Sequence, residues 1–461
     1  MQISSAPDSF YNLKGDEHGN FTRYRTRLVA QGYKQVKGLD YNFDDIFAPV
    51  ARLKSVRAMC AIAAIEDDEL VQTNIKSAFL YRRMEPGDNV YLVPPKGITL
   101  PGLKPGQVLK LRACLYGLKQ AGRRWYQKLR DTLRQIGLTC SQFDHAVFYQ
   151  QLSPAEGSGT TTIFCHVDDM GLKANKKYMP HLIAALKSRF KLSEGGQIHY
   201  LLGMHITCDH EKRTISFSQS AYINCILTRY RFDEIRMVTT PMDPNVALSK
   251  EQCATSERQQ EEMKNKPYRE ALGVLMYASV GTRLDITYTV STLAKFSQNP
   301  GPTHWTALKC MFAYLCGTQH YTLILGGISS PILTGYCDSD GMSNPDHHPI
   351  AAYIFTIGGA ISWSSKRQDI VCLSTTEAKY IALTHAAKEA IWLHHLLDKV
   401  FPKRFKLPIT VYSNNQGAIA LSKDDRFHTR TKHIDIRFQF VRQYVEDGTL
   451  SITYLPTDSM R

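Results

Sequence analysis

No stretch of the 461-residue chain approaches the roughly 20 consecutive apolar residues that a membrane-crossing helix needs. The opening MQISSAPDSF has neither the basic region nor the apolar core of a secretory leader. The expectation is an intracellular protein, cytoplasmic or nuclear, neither secreted nor membrane-embedded. No CxxC pair occurs among the 11 cysteines, an odd number scattered along the chain, which argues against a disulfide framework or a zinc ribbon and for buried free thiols. Internal repeats and low-complexity tracts are also lacking. Acidic residues are in deficit, 42 Asp plus Glu against 56 Lys plus Arg, and the net charge of +14 favours a polyanionic partner. Nucleic acid is the first candidate and an anionic membrane surface the other. A 43% hydrophobic content is ample for two or three domains with cores of their own.

Residues 20–238 mix short strands and helices, with Gly and Pro clustered from Pro86 to Gly106 around one strand, as in an α+β domain. The segment from Thr239 to Pro267 is polar, charged and poor in large apolar side chains, which predicts an exposed connector and a domain boundary. Within 239–330, ALGVLMYASVG and HWTALKCMFAYLCG predict two helices, each ending at Gly. From Ile332 the pattern reads β-β-β-α-β-α-β, with a hairpin over Gly358 and Gly359 and a long helix beginning near Thr376, so that 331–461 form a third region.

In TTIFCHVDDMGLKAN, apolar and β-branched residues flank the adjacent acids Asp168 and Asp169. This predicts strand, tight turn and strand, with both carboxylates near the tip. Adjacent carboxylates repel unless a cation compensates, and Mg²⁺ suits hard carboxylate oxygens and substrate phosphates. In phosphoryl transfer two such ions activate the attacking 3′ hydroxyl and stabilise the leaving pyrophosphate. A solvated Asp-Asp turn is the plainer alternative, and only context decides.

That context is a succession of motifs. YRTRLVAQGYKQVKGLDYNFDDIFAPVARLKSVR, TNIKSAFL, CLYGLKQAGRRWYQKL and HVDDM are followed in order by LLGMHI, SQSAYI, PYREALGVLMYASVGTRLDITY and HWTALKCMFAYLCGT. The series resembles the reverse transcriptase of copia-type LTR retrotransposons along nearly the whole chain. The resemblance implies an α+β right-hand polymerase of fingers and palm, then a helical connection, then an α/β ribonuclease H-like domain with a mixed sheet. Asp168 and Asp169 would hold the catalytic Mg²⁺ or Mn²⁺. Phe79 would gate the ribose 2′-OH, with a core aromatic as its plain alternative. Arg52 and Arg57 would meet the incoming deoxynucleoside triphosphate, against the alternative of a solvated face. Gly117 and Gln120 would let template and nascent base pair approach closely. Lys110, Arg112, Lys119, Arg123 and Arg124, around Tyr116 and Trp125, would grip an RNA template and DNA primer, unless they form only a solvated basic helix. Two departures stand out: Asn74 occupies the position of the family's first palm acid, and His166 replaces the Tyr usual before VDD.

GYCDSD, ISWSSKRQDIVCLSTTEAKYIAL, VYSNNQGAIAL and RTKHIDIRFQFVRQYV resemble the family's ribonuclease H region, which acts on RNA/DNA hybrid. Asp338 and Glu377 would be metal ligands, although Ser374 to Glu377 also spell a capping box that would place Glu377 there for helix stability alone. Asn414 stands where the family has its third acid. The last helix, with the fourth acid, is expected to be missing, and neither Asp435 nor Asp458 matches its position. The expectation is therefore a reverse transcriptase and ribonuclease H fragment of a polyprotein that also supplies protease and integrase. The alternative is a catalytically defective nucleic-acid-binding remnant. Oligomeric state is not legible in the sequence.

Overall fold

The computed structural model describes residues 8–15, 21–85, 90–94, 101–102, 104, 106–193, 195–243, 245–340, 348–372, 374–423 and 435–460. They divide into two compact units, one of 1–52, 71–172 and 176–196 and one of 53–70, 173–175 and 197–461.

A six-stranded sheet, most of whose residues belong to the first unit, runs in the order Gly196–Gln197, Glu69–Asn74, Asp169–Ala174, Thr160–His166, Val147–Gln151, Thr139–Cys140. Thr160–His166 is rich in β-branched residues and all but its last residue is buried, as a central strand requires. The helix Ala121–Gln135 turns Ala121, Trp125, Leu129 and Leu133 inward, an i, i+4 stripe. Much of Pro86 to Gly106 lies outside the described residues; within it Tyr91–Leu92 pairs antiparallel with Leu109–Lys110.

In the second unit, every residue from Ser55 to Ile65 of the helix Leu53–Glu66 is buried, the signature of a helix enclosed on all sides. The two helices expected in the connection run Tyr268–Gly281 and Pro302–Gly317. They share a core of Ile223, Leu272, Leu275, Leu293, Leu308 and Phe312. The segment 239–267 is largely exposed, as its composition predicts, but it is pinned to the second unit at three points. Leu248, Ala254 and Met263 are buried, the short helix Glu257–Lys264 is capped by Ser256, and the expected boundaries near 238 and 330 both fall inside this unit. Three apolar anchors suffice to dock a polar segment, because each buries its side chain while its neighbours stay in water.

A five-stranded mixed sheet follows, ordered Ala360–Arg367, Ile350–Thr356, Thr334–Ser339, Ile409–Ser413, Leu450–Tyr454, its first three strands antiparallel and its last two joined in parallel. The 26-residue helix Thr375–Val400 packs against three of these strands and against the helix Asp435–Glu446, where the Tyr380 and Phe438 ring centroids lie 4.1 Å apart. The mixed sheet expected from Ile332 onward is present, but two helices, Gln416–Leu421 and Asp435–Glu446, stand between its last two strands where one was expected.

All eleven cysteines are free, and five of them, Cys60, Cys114, Cys165, Cys337 and Cys372, are buried, whereas Cys225 is exposed. Burial pushes the Cys337 thiol up to about 12 and Cys372 to about 11, so neither is a thiolate at neutral pH. No helix among the described residues is long and apolar enough to cross a membrane.

His304, at the start of the helix Pro302–Gly317, is fully enclosed and stacks on Phe296 with ring centroids 3.9 Å apart. Its Nδ1 accepts from the Gly301 amide at 2.9 Å and its Nε2–H donates to the Ser249 carbonyl 3.1 Å away, so the ring is held neutral. Burial depresses its pKa, and burial does the same for His385 and His394. Below the ordinary value of 6.5 the unfolded chain therefore takes up more protons than the folded one. Unfolding free energy, followed by denaturant titration, is expected to hold above that pH and to fall as the pH drops through it. A rise in stability between pH 6.5 and 5 would contradict the neutral assignment.

Candidate active sites

The first site is built by two strand ends. Strand Thr160–His166 turns through Val167 and Asp168 into strand Asp169–Ala174, which lies beside Glu69–Asn74. The turn puts Val167 at φ +61°, a left-handed conformation that a β-branched residue adopts at a cost of about 1–3 kcal/mol. The surroundings hold it there: the Trp125 indole N–H donates to the Val167 carbonyl at 2.8 Å, and Trp125 packs against Tyr81 and Phe190. The Ile75 amide donates to the Asp168 carbonyl at 3.0 Å, so the segment carrying Asn74 is stitched to the turn. Asn74 is itself fixed by two bonds to Ser193, its amide to the hydroxyl at 2.9 Å and its carbonyl to the Ser193 amide at 2.7 Å.

Asn74, Asp168 and Asp169 are thus brought together, all half-buried. The Asn74 carboxamide N–H₂ donates to Oδ1 of Asp169. Only the nitrogen end of the amide can face an ionised carboxylate, so the side chain presents a donor where an acid would present an oxygen.

The other predicted residues divide. Phe79 is half-buried and meets Tyr116 edge to face at 4.7 Å beside a small core that includes Ala30, Leu115 and Leu118. Gly117, at φ +90°, is needed for a backbone crossing: a Cβ there would lie 2.0 Å from the Ala30 carbonyl oxygen. Gln120 is buried, accepting from the Gln35 amide at 2.9 Å, which fastens the helix start to the 30–41 segment. Arg52 is exposed, with its backbone N–H donating to Asp144 at 3.0 Å. Lys110 and Arg112 are exposed, Lys119 lies 5.1 Å over the Tyr41 ring, Arg124 approaches the Met84 sulfur at 3.9 Å, and Arg123 is half-buried.

Two placements correct the sequence reading. Trp125, expected against primer-template, is 1% exposed and supports the Val167 turn from within. Arg57, expected at the triphosphate, is 5% exposed inside the second unit. Its guanidinium donates to the carbonyls of Ile361, Val280 and Gly281 at 2.8, 2.9 and 3.0 Å and stacks 3.8 Å over Trp363. Burial pushes it down to about 9 while Glu389 draws it up, so it is still charged at neutral pH. Ser193 was missed by sequence reasoning, and nothing in its neighbours signals that it would hold Asn74.

The second site lies at the ends of Thr334–Ser339 and Ile409–Ser413, which pair in parallel and set Asp338 beside Asn414. Asp338 Oδ2 accepts from Asn414 Nδ2 at 3.2 Å. Its Oδ1 accepts from the Ser339 amide at 2.7 Å and from the Lys379 ammonium at 2.9 Å. Glu377, buried in the first turn of the long helix, has its amide donating to the Ser374 hydroxyl at 3.1 Å, the Ser374 half of the predicted capping box. Asp458 sits in the short turn Thr457–Ser459, and the Asp435 side chain lies outside what is described. Among the described residues no three His, Cys, Asp or Glu side chains cluster as a metal site.

The family described as "Reverse transcriptase (RNA-dependent DNA polymerase)" matches residues 7–244. The chain is 38% identical over 454 residues to the Retrovirus-related Pol polyprotein from transposon TNT 1-94 of Nicotiana tabacum, covering 97% of this chain and 33% of that protein. It is 33% identical over 450 residues to the corresponding polyprotein from transposon RE1 of Arabidopsis thaliana, covering 97% and 29%. The chain thus spans about a third of the length of these curated relatives. The foamy viral protease-reverse transcriptase, solved in complex with RNA/DNA hybrid, aligns over 99% of this chain and 51% of its own at 13% identity and a TM-score of 0.42. On the family match and the two relatives, the chain belongs to the reverse transcriptase family of copia-type retrotransposon Pol polyproteins.

Proposed function

We propose that this chain is the reverse transcriptase and ribonuclease H-like region of a retrotransposon polyprotein that binds an RNA template and DNA primer, with a weakened polymerase centre. The observation that carries this reading is the Asn74 carboxamide donating to Asp169 at the palm-type hairpin. Reverse transcriptases use divalent metal ions. The carboxylates of Asp168 and Asp169 suit a hard divalent ion, Mg²⁺ or Mn²⁺, whereas the Asn74 N–H₂ is a donor and cannot join them as a bridging ligand. When bound, such an ion lowers the pKa of the primer 3′ hydroxyl and neutralises charge developing at phosphorus.

The chain's own groups have separate tasks in this reading. Trp125 and Ser193 position the two strand ends. Phe79, backed by Tyr116, stands as the ribose gate for a deoxynucleoside triphosphate, whose phosphates the exposed Arg52 meets. Lys110, Arg112, Lys119, Arg123 and Arg124 supply cations for the primer-template backbone. Gln120 and Gly117 hold the 30–41 segment in place beside the template and nascent base pair.

With five cations engaged, the slope of log affinity against log salt on primer-template duplex is expected to approach about −4. The same protein should extend the primer poorly with Mg²⁺. Binding that ignores salt between 50 and 200 mM, or no binding to duplex at all, would remove the basis for the basic groove.

A further inference from the structure

In the ribonuclease H-like sheet the cation beside the first-strand carboxylate belongs to the protein itself. Lys379 Nζ lies 2.9 Å from Asp338 Oδ1 and 2.6 Å from Asn414 Oδ1. Asn414 Nδ2 donates to the other Asp338 oxygen at 3.2 Å and to the Thr457 hydroxyl at 3.1 Å. The three side chains close a ring in which the ammonium donates twice, the carboxylate accepts twice and the amide does one of each. Both ends of the amide are fixed by their neighbours, since only oxygen can face an ammonium and only nitrogen a carboxylate. An aspartate at 414 could accept from Lys379 but could not donate to Asp338. Two carboxylate groups would then face each other. Asn414 and Lys379 are therefore a matched pair, each making sense of the other.

The fit to a divalent ion fails here. Asp338 Oδ1 already accepts from Lys379 and from the Ser339 amide, and an ion on this carboxylate would stand within a few ångströms of a fixed ammonium. A charge of the same sign so close opposes binding, and the neutral Asn414 contributes no charge to offset it. We infer that Lys379 is the resident cation of this site, that Asp338 takes no divalent metal, and that the domain keeps its fold with no metal there. The inference does not depend on the polymerase reading, because it concerns different residues on a different sheet.

Localised backbone cleavage by Fe²⁺ with ascorbate and hydrogen peroxide, applied to the full chain and read by mass spectrometry, tests this directly. The parent protein is expected to give no fragments ending near residues 338 or 414. The double variant Lys379→Gln/Asn414→Asp is expected to give them, and to hold Mn²⁺ at that site at least about tenfold more tightly than the parent. Fragments near 338 from the parent would overturn the inference, and this arm needs no variant to fold. A double variant with native circular dichroism that still gives no fragments there would overturn it as well, since something other than Lys379 would then be excluding the metal.

Discussion

Replacing Asn74 by Asp is expected to raise primer extension at least about a hundredfold, the scale on which one preorganised electrostatic group affects catalysis. The structure makes this a local experiment. The Asn74 backbone is held by both bonds to Ser193 and by the Ile75 amide on Asp168, and none of these involves the side chain being changed. An aspartate would lose the donor to Asp169 and place a third carboxylate against two half-buried ones. Without metal that clustering should destabilise the variant, and added Mg²⁺ or Mn²⁺ should restore it, because the repulsion is what the ions relieve. Extension on an RNA template with a DNA primer should be compared for parent, Asn74→Asp and Asn74→Ala. Only the aspartate should gain, with duplex affinity little changed. Robust extension by the parent would sink the claim of a weakened centre. No gain from a well-folded Asn74→Asp that still binds duplex would move the defect elsewhere, with His166 the next residue to test.

The hairpin carrying Asp168 and Asp169 was legible because two independent patterns coincide there: apolar, β-branched runs on both sides and two acids where a turn must fall. The Ser374 cap was legible for the same reason, as a four-residue pattern with a local mechanism. The order of the five strands and the long helix from Ile332 onward was readable from periodicity, whereas the six-residue helix Gln416–Leu421 and the helix Asp435–Glu446 were read as one. What escaped depends on long-range contacts. Trp125 lies in a basic, aromatic stretch that reads as a nucleic-acid grip, yet its partner Val167 is 42 residues away and becomes visible only once the sheet is assembled. Lys379 follows Glu377 by two positions in a helix, a spacing at which side chains do not share a face, so no local pattern joins it to the metal-ligand set. The parallel pairing of 334–337 with 410–413 brings Asp338 and Asn414 together, and the long helix packed on that sheet delivers Lys379 to them. The 239–267 segment is mostly exposed, as its polar composition suggested, but its three anchors, Leu248, Ala254 and Met263, could not be read from an average.

Arg57→Ala is expected to cost about 3–5 kcal/mol of stability, the range of a buried charged group whose partners are left without a donor. The residue sits in a basic run, ARLKSVR, that reads as a phosphate contact, and the structure assigns it another task. One guanidinium satisfies three carbonyls drawn from two separate segments, Ile361 on a strand and Val280 and Gly281 at a helix end. Trp363 lies flat beneath it, with its own indole N–H donating to the Ser279 carbonyl at 2.9 Å. Truncation to alanine removes the donors, leaves the carbonyls buried and opens a void over the indole. Arg57→Lys should recover only part of the loss, because an ammonium is a point donor that cannot span the three acceptors or stack as a planar group does. Glu389 is less affected, since Lys54 at 2.6 Å and the Ser362 hydroxyl at 2.6 Å remain its partners. Urea denaturation of parent, Arg57→Ala and Arg57→Lys gives the ordering. If Arg57→Ala unfolds at the parent's midpoint while the Michaelis constant for deoxynucleoside triphosphate rises in an active Asn74→Asp background, the phosphate role is right and the internal clamp is wrong. A lowered midpoint with an unchanged Michaelis constant in the folded fraction is the expected result, because a guanidinium buried inside the second unit and held by three carbonyls is not presented to a phosphate.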